Sequence, residues 1–382
     1  MRVLFVSRER HRLPLDDVQR RKWDAIAAEV EPRIVAAAPA GYPTRDERFR
    51  LVPPSRPRAL DGAAFYAALP FRVARELREW RPDAVLVQGV HEGALVLLAR
   101  MLVRSRARVV LDVHGDWRTA TRLYGSPLRG LLSPLADALA PVAVRRADAV
   151  RTLSPTTTEQ VRALGVEPAA EFPAYVDLEA FTATPPTPLP DEPRALFVGV
   201  LERYKAVDVL AEAWRRVSGS EPLTLIGEGT LRPLVEQLAR DDPRVAWTPR
   251  LAPDEVARAL DDATVLLLPS RSEGLPRVAI EALCRGRPIV GARAGGIPDI
   301  VEDGVNGILV EPGDAAALAA AIEGVLADRE LAERLAAGAR ETAQRWIATP
   351  EAYAARLAAL LRARPARRTG SPRDPASPST SR

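Results

Sequence analysis

The stretch TVLLLPSRSEGLPRVAIEALCRGRPIVG, residues 264–291, decides the fold. Its apolar run Val265–Leu268 has the length of a strand that is buried on both faces, as in a parallel sheet. Pro269 ends this strand, and a polar loop follows as far as Gly274. The apolar run Pro288–Val290 begins the next strand. The stretch therefore predicts a strand, a loop and a helix at the edge of a parallel sheet.

The helix in this stretch is predicted to begin near Pro276, because the first turn of a helix tolerates proline. Its apolar face contains Val278, Ala279, Ala282 and Leu283. The N-terminus of such a helix faces the carboxyl edge of the sheet, where it offers free backbone N–H groups and a positive dipole. The loop before the helix therefore predicts a seat for phosphate.

Two glutamates lie around this helix start. Glu273 is in the loop and Glu281 is on the first turns of the helix, so both can point toward one ligand. The alternative is that Glu273 complements the helix dipole and that Glu281 is a solvated helix residue. For either residue alone this alternative is the simpler interpretation, whereas the surrounding stretch favours a ligand.

Together these residues carry a resemblance. The segment SRSEGLPRVAIEALCRGRPIVG resembles the donor-site motif of family-4 glycosyltransferases, which have the GT-B fold and use nucleotide-activated sugars. Three more segments, LIGEGTL from Leu225, GARAGGIPDI from Gly291 and EDGVNGILVEPGD from Glu302, extend the match from Ala195 to about Val325. The resemblance implies that Glu281 binds ribose hydroxyls. It also implies a catalytic role for Glu273, and it implies that the following residues lie against the sugar: Glu273, Gly274, Leu275 and Pro276.

The segment GVLERYKAVDVLAEAW, from Gly199, resembles the phosphate-binding loop of the same family. Gly199 permits a tight turn, and Lys205 lies near the start of the next helix, where it can neutralise a diphosphate. By itself, Lys205 would be an ordinary surface lysine. The family pattern has a glycine-arginine pair here, but Val200 stands at the arginine position. Arg203 is the nearest substitute as a donor-binding cation.

The first half of the chain matches the family more loosely. His114 follows a predicted strand, VVLDV, and the resemblance places a functional, catalytic histidine there, facing the cleft. The alternative is a histidine that is hydrogen-bonded locally at a strand end. Relatives often have a Gly-rich loop after the first strand, whereas this chain has SRERHRLPL, Ser7 to Leu15. The acceptor side of the cleft therefore departs from the family pattern.

Strands and helices alternate through most of the chain, which predicts an α/β protein with doubly wound parallel sheets. With the resemblance, we expect two Rossmann-like domains that face each other across a cleft. Residues 39–57, rich in proline and arginine, are predicted to be a connection. The predicted division is an acceptor-binding domain over residues 1–175, a proline-rich linker over 176–193, a donor-binding domain over 194–345, a helix over 346–362 that crosses back to the first domain, and a disordered basic tail over 363–382.

Composition limits the remaining functions. Among 382 residues the single Cys284 excludes an internal disulfide, and three scattered histidines give no zinc pattern. No apolar run reaches the roughly 20 residues of a membrane helix, and a strand pattern at the N-terminus predicts no signal peptide. Residues 1–110 carry excess positive charge, which is compatible with nucleic acid, anionic lipid or an acidic substrate. Without interleaved aromatic and basic residues, we expect no nucleic acid.

The resemblance implies a retaining, metal-independent hexosyltransferase without a cofactor. It would move a sugar from a nucleotide-diphosphate donor to a glycan, a lipid-linked sugar or a small molecule. Two alternatives stay open: a sugar-nucleotide epimerase of the same fold, and a non-catalytic subunit that binds sugar nucleotides. We expect a cytoplasmic protein attached peripherally to an anionic inner membrane face, because Arg72, Arg75 and Arg78 recur at helical spacing beside Phe71, Ala74 and Leu77.

Overall fold

The computed structural model describes residues 1–57, 60–115, 117 and 138–363. Its strands form two sheets in which every pairing is parallel. The first sheet contains β1 Arg2–Arg10, β2 Glu31–Ala37, β3 Phe49–Val52, β4 Ala84–Gln88, β5 Arg108–Val113, β6 Ala149–Thr152 and β7 Ala170–Glu171. The second contains β8 Ala195–Val198, β9 Leu223–Ile226, β10 Val245–Thr248, β11 Val265–Leu268, β12 Ile289–Ala292 and β13 Gly307–Val310.

Helices cover the faces of both sheets. They are α1 Asp17–Glu29, α2 Asp61–Glu79, α3 Val90–Leu102, α4 Pro155–Arg162, α5 Glu179–Thr182, α6 Val207–Trp214, α7 Arg232–Asp241, α8 Pro253–Asp261, α9 Arg277–Cys284, α10 Ala315–Ala327, α11 Arg329–Ala343 and α12 Pro350–Arg362. Residues 138–146 are also helical. In the described ranges, no helix combines the length and the apolar character that crossing a bilayer requires. Two Rossmann-like parallel sheets confirm the predicted fold class.

The strand order places a crevice at the same point of each sheet. The first sheet runs β3-β2-β1-β4-β5-β6-β7 and the second runs β10-β9-β8-β11-β12-β13. In each, the chain goes outward on one side of its first strand and then returns to the other side, so the connections after β1 and β4, and after β8 and β11, diverge. Ligands of open α/β sheets bind at such points, outside the carboxyl ends of the strands.

Two buried arginines fix the proline-rich segment between the sheets. Arg285 donates to the carbonyl oxygen of Thr184 at 2.7 Å and pairs with Asp261 at 2.6 Å. Arg287 donates to the carbonyl and hydroxyl oxygens of Thr187 at 3.0 and 2.6 Å. The predicted linker also contains the short helix α5, whose Phe181 is buried against the second sheet. This segment is therefore anchored to the second half of the molecule.

The helix α12 packs on the first sheet although it follows the second one in the chain. Tyr353, Leu357 and Leu361 are buried among residues of β1, β2 and α1. Arg108, on β5, donates to the carbonyl oxygens of Leu360 and Leu361 at 2.9 and 3.0 Å. The chain thus passes between the halves twice. The domain limits stay a prediction, and the proposed tail, apart from Ala363, lies outside the described residues.

The predicted connection over 39–57 differs from the structure, because it contains β3. Phe49 and Leu51 are buried against β2, while Arg50 between them bonds backbone oxygens, among them that of Asp46 at 2.6 Å. A four-residue strand with a central arginine has too weak a pattern to stand out among prolines. Helix α9 begins at Arg277 with Pro276 as its N-cap, in agreement with the predicted start near Pro276.

Candidate functional site

A salt bridge joins the loops after β8 and β11, which are neighbours in the second sheet. A 3₁₀ turn, Arg203–Lys205, points Lys205 toward the loop after β11, where its Nζ lies 2.5 Å from Oε1 of Glu273. Both side chains are nearly buried, at 10% and 9% exposure. Ser270 donates its hydroxyl to the same Oε1 at 2.7 Å. Two of the predicted donor ligands therefore touch each other at the carboxyl edge of the sheet.

The backbone around Gly199 is held tightly against the turn after β9. Gly227 has a φ of +147°, and a Cβ atom there would lie 1.8 Å from the carbonyl oxygen of Gly199. Leu201 and Glu228 continue this contact with a backbone hydrogen bond of 2.8 Å. A Cβ at Gly199 would lie 3.6 Å from Cε of Lys205, so this glycine passes directly beside the lysine stem.

Arg271 clamps the 3₁₀ turn to the loop after β11. Its two Nη atoms each lie 2.7 Å from an oxygen of Asp208, the second residue of α6, and Nη1 also donates to the carbonyl oxygen of Arg203 at 2.8 Å. The hydrogen bond from Arg271 holds the pKa of Asp208 below its usual range. The side chain of Arg203 itself is exposed, as is Val200. The predicted substitute cation therefore lies on the turn but outside the Lys205–Glu273 pair.

The start of α9 is fixed from one side by the loop after β12. Gly296 donates its N–H to the carbonyl oxygen of Glu273 at 3.1 Å. Gly274, Leu275 and Pro276 follow and lead directly into the first turn of the helix. The structure thus places the three predicted sugar contacts immediately before a helix N-terminus, as the sequence indicated.

Glu281 lies further along α9 and is 7% exposed. Arg277, one turn earlier, donates its Nε to Oε1 of Glu281 at 2.6 Å. Burial raises the pKa of Glu281, and Arg277 offsets part of this effect by favouring the carboxylate. Burial, with the nearby Glu281, also raises the pKa of the Cys284 thiol to about 11. Glu281 is therefore a buried carboxylate with one surface cation as its partner, and it is not a solvated residue.

The two halves of the molecule touch at His114, Gly115 and Gly274. A Cβ atom at Gly274 would lie 2.4 Å from the carbonyl oxygen of His114, and one at Gly115 would lie 2.9 Å from Cα of Gly274. Nearby, Thr156 at the start of α4 donates its hydroxyl to Asp299 at 3.0 Å. The loop after β5 therefore faces the loop before α9 directly.

The side chain of His114 is hydrogen-bonded to a buried ion pair, Asp112 with Arg151. Nε2 of His114 lies 2.8 Å from Oδ2 of Asp112, and Arg151 on β6 donates its Nη1 to the same oxygen at 2.9 Å. Asp112 and Arg151 are fully buried, and the guanidinium stacks 4.0 Å from the ring centre of Phe172. Burial alone would raise the pKa of Asp112, but Arg151 and then His114 hold it below its usual range. This arrangement orients the imidazole and leaves Nδ1 on its other side.

The structure brings Gly199, Lys205, Glu273 and Gly274 together and sets the loop of His114 against them. Three pairs at the site were not predicted from the sequence: Asp112 with Arg151, Arg271 with Asp208, and Thr156 with Asp299. One signal existed for the first pair. Asp112 and Arg151 are opposite charges that each follow apolar residues of a strand, and buried charges of this kind are normally paired. Within the described ranges, no group of three His, Cys, Asp or Glu residues could hold a metal ion.

Comparisons with known proteins agree with this geometry. The family model described as "Glycosyl transferase 4-like domain" matches residues 20–172, and the model "Glycosyl transferases group 1" matches residues 192–328. The sulfoquinovosyl transferase SQD2 of Arabidopsis thaliana is 33% identical over 160 residues, which are 41% of this chain and 31% of that protein. A D-inositol 3-phosphate glycosyltransferase of Xylanimonas cellulosilytica is 36% identical over 220 residues, 51% of this chain and 52% of that protein. The chain thus spans about a third to a half of the length of these curated relatives.

Solved structures share the whole arrangement. Sucrose-phosphate synthase from Thermosynechococcus elongatus superposes with a TM-score of 0.74 at 21% identity, covering 94% of this chain and 98% of the other. Anabaena HepE in complex with UDP-glucose gives a TM-score of 0.66 at 18% identity, covering 94% and 99%. At these identities the likeness shows the fold. Together with the two matched family models, it shows that the chain belongs to the family-4, group 1 glycosyltransferases and has the GT-B fold.

Proposed function

We propose that this chain transfers a sugar from a nucleoside diphosphate sugar, held by its second half, to an acceptor held by its first half. The observation that carries the proposal is the Lys205–Glu273 pair, which lies beside the N-terminus of α9 at the carboxyl edge of the second sheet. A nearly buried cation next to free helix N–H groups suits a diphosphate. HepE, which has the same fold, was crystallised with UDP-glucose.

The diphosphate would bind Lys205 and the backbone beside Gly199. Its negative charge is favoured there by the ammonium and by the dipole of α9. Arg203 is exposed on the same turn, where it would supply the second cation that Val200 does not. Glu281 would accept hydrogen bonds from the ribose hydroxyls, which an ionised carboxylate accepts more strongly than a protonated one.

Glu273 and the backbone of Gly274, Leu275 and Pro276 would lie against the sugar. His114 approaches the same point from the first half, so we assign it to the reacting end of the donor or acceptor. We further propose that transfer retains the anomeric configuration and needs no metal ion. The developing charge on the leaving diphosphate would be stabilised by Lys205 and the helix dipole, which are fixed before reaction.

Product analysis tests the proposal. A panel of nucleoside diphosphate sugars is first screened by ligand-induced thermal stabilisation, since a ligand that binds the native state raises the melting temperature. The donor that binds is then incubated with acceptors, with and without a chelator. Release of nucleoside diphosphate and an acceptor product of retained configuration, unaffected by the chelator, is expected. An epimerase would leave the nucleotide sugar intact, and a non-catalytic binder would yield no product. Membership in a transferase family favours neither alternative.

Peripheral attachment to an anionic membrane stays a proposal, with one structural support. Phe71 is 78% exposed on α2, and Arg75 and Arg78 lie on the same solvent-facing side. Leu77, predicted for the apolar face, is instead buried in the core. Cosedimentation with anionic and neutral vesicles at two salt concentrations tests this, and Phe71→Ala should weaken any binding. Equal, negligible binding to both vesicle types at low salt would exclude it.

A further inference from the structure

The first half contains an open cavity of about 790 Å³ at the carboxyl ends of β1, β2 and β3. Its lining includes Arg8, Arg10, Ala37, Val52, Asp61 and Phe65. The carboxyl ends of parallel strands meet at one edge of a sheet, so this cavity opens on the same edge as the loop of His114. Two of its lining residues, Arg8 and Arg10, belong to the segment Ser7 to Leu15.

The two arginines of this cavity differ in their partners. Arg10 lies 2.5 Å from Asp61, whose other oxygen accepts the N–H of Ser55 at 2.9 Å. That backbone hydrogen bond, together with Arg10, holds the pKa of Asp61 below its usual range. Arg8 has no such carboxylate partner among the described residues. With two arginines and one aspartate, the charged lining of the cavity is therefore positive.

Arg8 is held in place by an aromatic ring. Its guanidinium carbon lies 5.5 Å from the ring centre of Tyr66, on α2. The hydroxyl of Tyr66 donates to Oε1 of the buried Glu92 at 2.8 Å, and burial followed by Glu92 raises the pKa of Tyr66. Glu92 thus fixes the ring of Tyr66. The guanidinium of Arg8 lies over this ring and also interacts with the Tyr66 hydroxyl, and its remaining N–H donors suit a planar or tetrahedral oxyanion.

We propose that this cavity binds an oxyanion, a phosphate or a carboxylate, carried by the acceptor. The proposal rests on the proposed function for its term "acceptor" but not for the anion site. Arg8 would make the direct contact, and Arg10 would add charge while Asp61 holds it. In the sheet, β1 and β5 are separated by β4, so the cavity begins two strand spacings, on the order of 10 Å, from the loop of His114. The anionic group of the acceptor would therefore lie on the order of 10 Å from the hydroxyl group that reacts beside His114.

The first experiment tests the anion site without transfer. In the Lys205→Ala background, which disables the proposed diphosphate site, thermal stabilisation is titrated with inorganic phosphate and with acetate at constant ionic strength. We expect saturable stabilisation by at least one ion, which disappears when Arg8→Ala is added. Arg12→Ala, a change in the same segment outside the cavity lining, is the matched control and should leave it unchanged. Identical responses with and without Arg8 would overturn the proposal.

The second experiment uses the full chain, its donor and pairs of acceptors. Each neutral sugar is compared with its phosphate ester and with its uronic acid. Arg8→Ala should raise KM for the charged members by about 10- to 150-fold, with little effect on kcat or on neutral sugars. Arg8→Lys should recover part of the loss, since it keeps the charge but not the fork. Equal KM changes for charged and neutral members would contradict the anion site. Donor binding without any transfer would instead contradict the proposed function, and the phosphate titration would still decide the site.

Discussion

Nζ of Lys205 lies 2.5 Å from Oε1 of Glu273, so the cation proposed for the diphosphate is paired with the carboxylate proposed for the sugar. A diphosphate must share this ammonium with Glu273 or displace it. Because the pair is nearly buried, its two members should affect ligand binding in opposite directions. Lys205 attracts the phosphates and also neutralises Glu273, whose negative charge would repel them.

Lys205→Ala should weaken binding of a nucleoside diphosphate by about 10- to 150-fold, the cost of a lost charged hydrogen bond, while the bare nucleoside binds nearly as before. Glu273→Gln removes a negative charge beside the phosphates, so it should leave diphosphate affinity equal or higher and still lower turnover. Calorimetric titration measures the diphosphate affinity of both variants, and product release measures turnover. The substitution Arg215→Ala, at an exposed residue, is the control. Normal diphosphate binding by folded Lys205→Ala protein would show that the donor site lies elsewhere.

Glu281 should give nucleoside binding a pH dependence. Burial raises its pKa. Above this raised value Glu281 is fully ionised and accepts the ribose hydroxyls most strongly, and it becomes protonated as the pH falls through that value. We expect nucleoside affinity to fall as the pH is lowered, and to begin falling at a higher pH than an ordinary glutamate would give. Glu281→Gln should bind weakly, with no such slope. Titrations with a nucleoside avoid the titration of phosphate, and an equal slope in both proteins would assign it to another group.

His114→Ala should reduce turnover more than donor affinity, because the loop of His114 in the first half lies against Gly274, in the loop that we propose for the donor sugar. Loss of one hydrogen bond to the reacting groups predicts a kcat lower by roughly tenfold or more. Turnover under saturating substrates and the Kd of the donor are measured on the same preparation. Unchanged turnover would leave His114 as a residue that is only hydrogen-bonded to Asp112.

Asp112→Ala should destabilise the protein by about 3–5 kcal/mol, because it leaves the buried guanidinium of Arg151 without its carboxylate. Glu31→Ala removes the carboxylate of an exposed pair with Arg2 and should cost within about 1 kcal/mol. Denaturant unfolding compares the two. The pKa of Asp112 is lowered in the folded protein, so the pair stabilises above the ordinary aspartate pKa, and this stability is lost as pH falls through the lower, folded value. Equal stability of the two variants would contradict this account.

The sequence predicted those parts of the fold whose signal is local. The sequence predicts a strand at Val265–Leu268, because four apolar residues there follow a threonine and precede a proline. The structure has the same bounds, and all four residues are fully buried. β3 was missed, since Arg50 interrupts its apolar pattern and prolines surround it. β7 was beyond local prediction, because it has only two residues and exists through its pairing with β6.

The sequence predicted which part of the sheet holds the site. It did not predict which side chains contact each other there. Lys205 and Glu273 both follow strands, so the sequence placed both at the carboxyl edge of a sheet. Their contact depends on β8 and β11 being neighbours, which is a property of the strand order. Asp112 and Arg151 depend in the same way on the pairing of β5 with β6. A hydrophobic pattern does not encode which charged side chains on neighbouring strands meet.

The return of α12 to the first sheet has a consequence for how the chain folds as it is synthesised. Protein domains generally fold in order from the N-terminus while the ribosome is still working. Here Tyr353, Leu357 and Leu361 cover a core built from residues of β1, β2 and α1. The part of this core that α12 covers consequently stays exposed until residues 350–362 have emerged, after the whole second sheet. A nascent chain stalled before residue 350 should therefore expose this apolar surface, and it should need a chaperone more than the finished protein does.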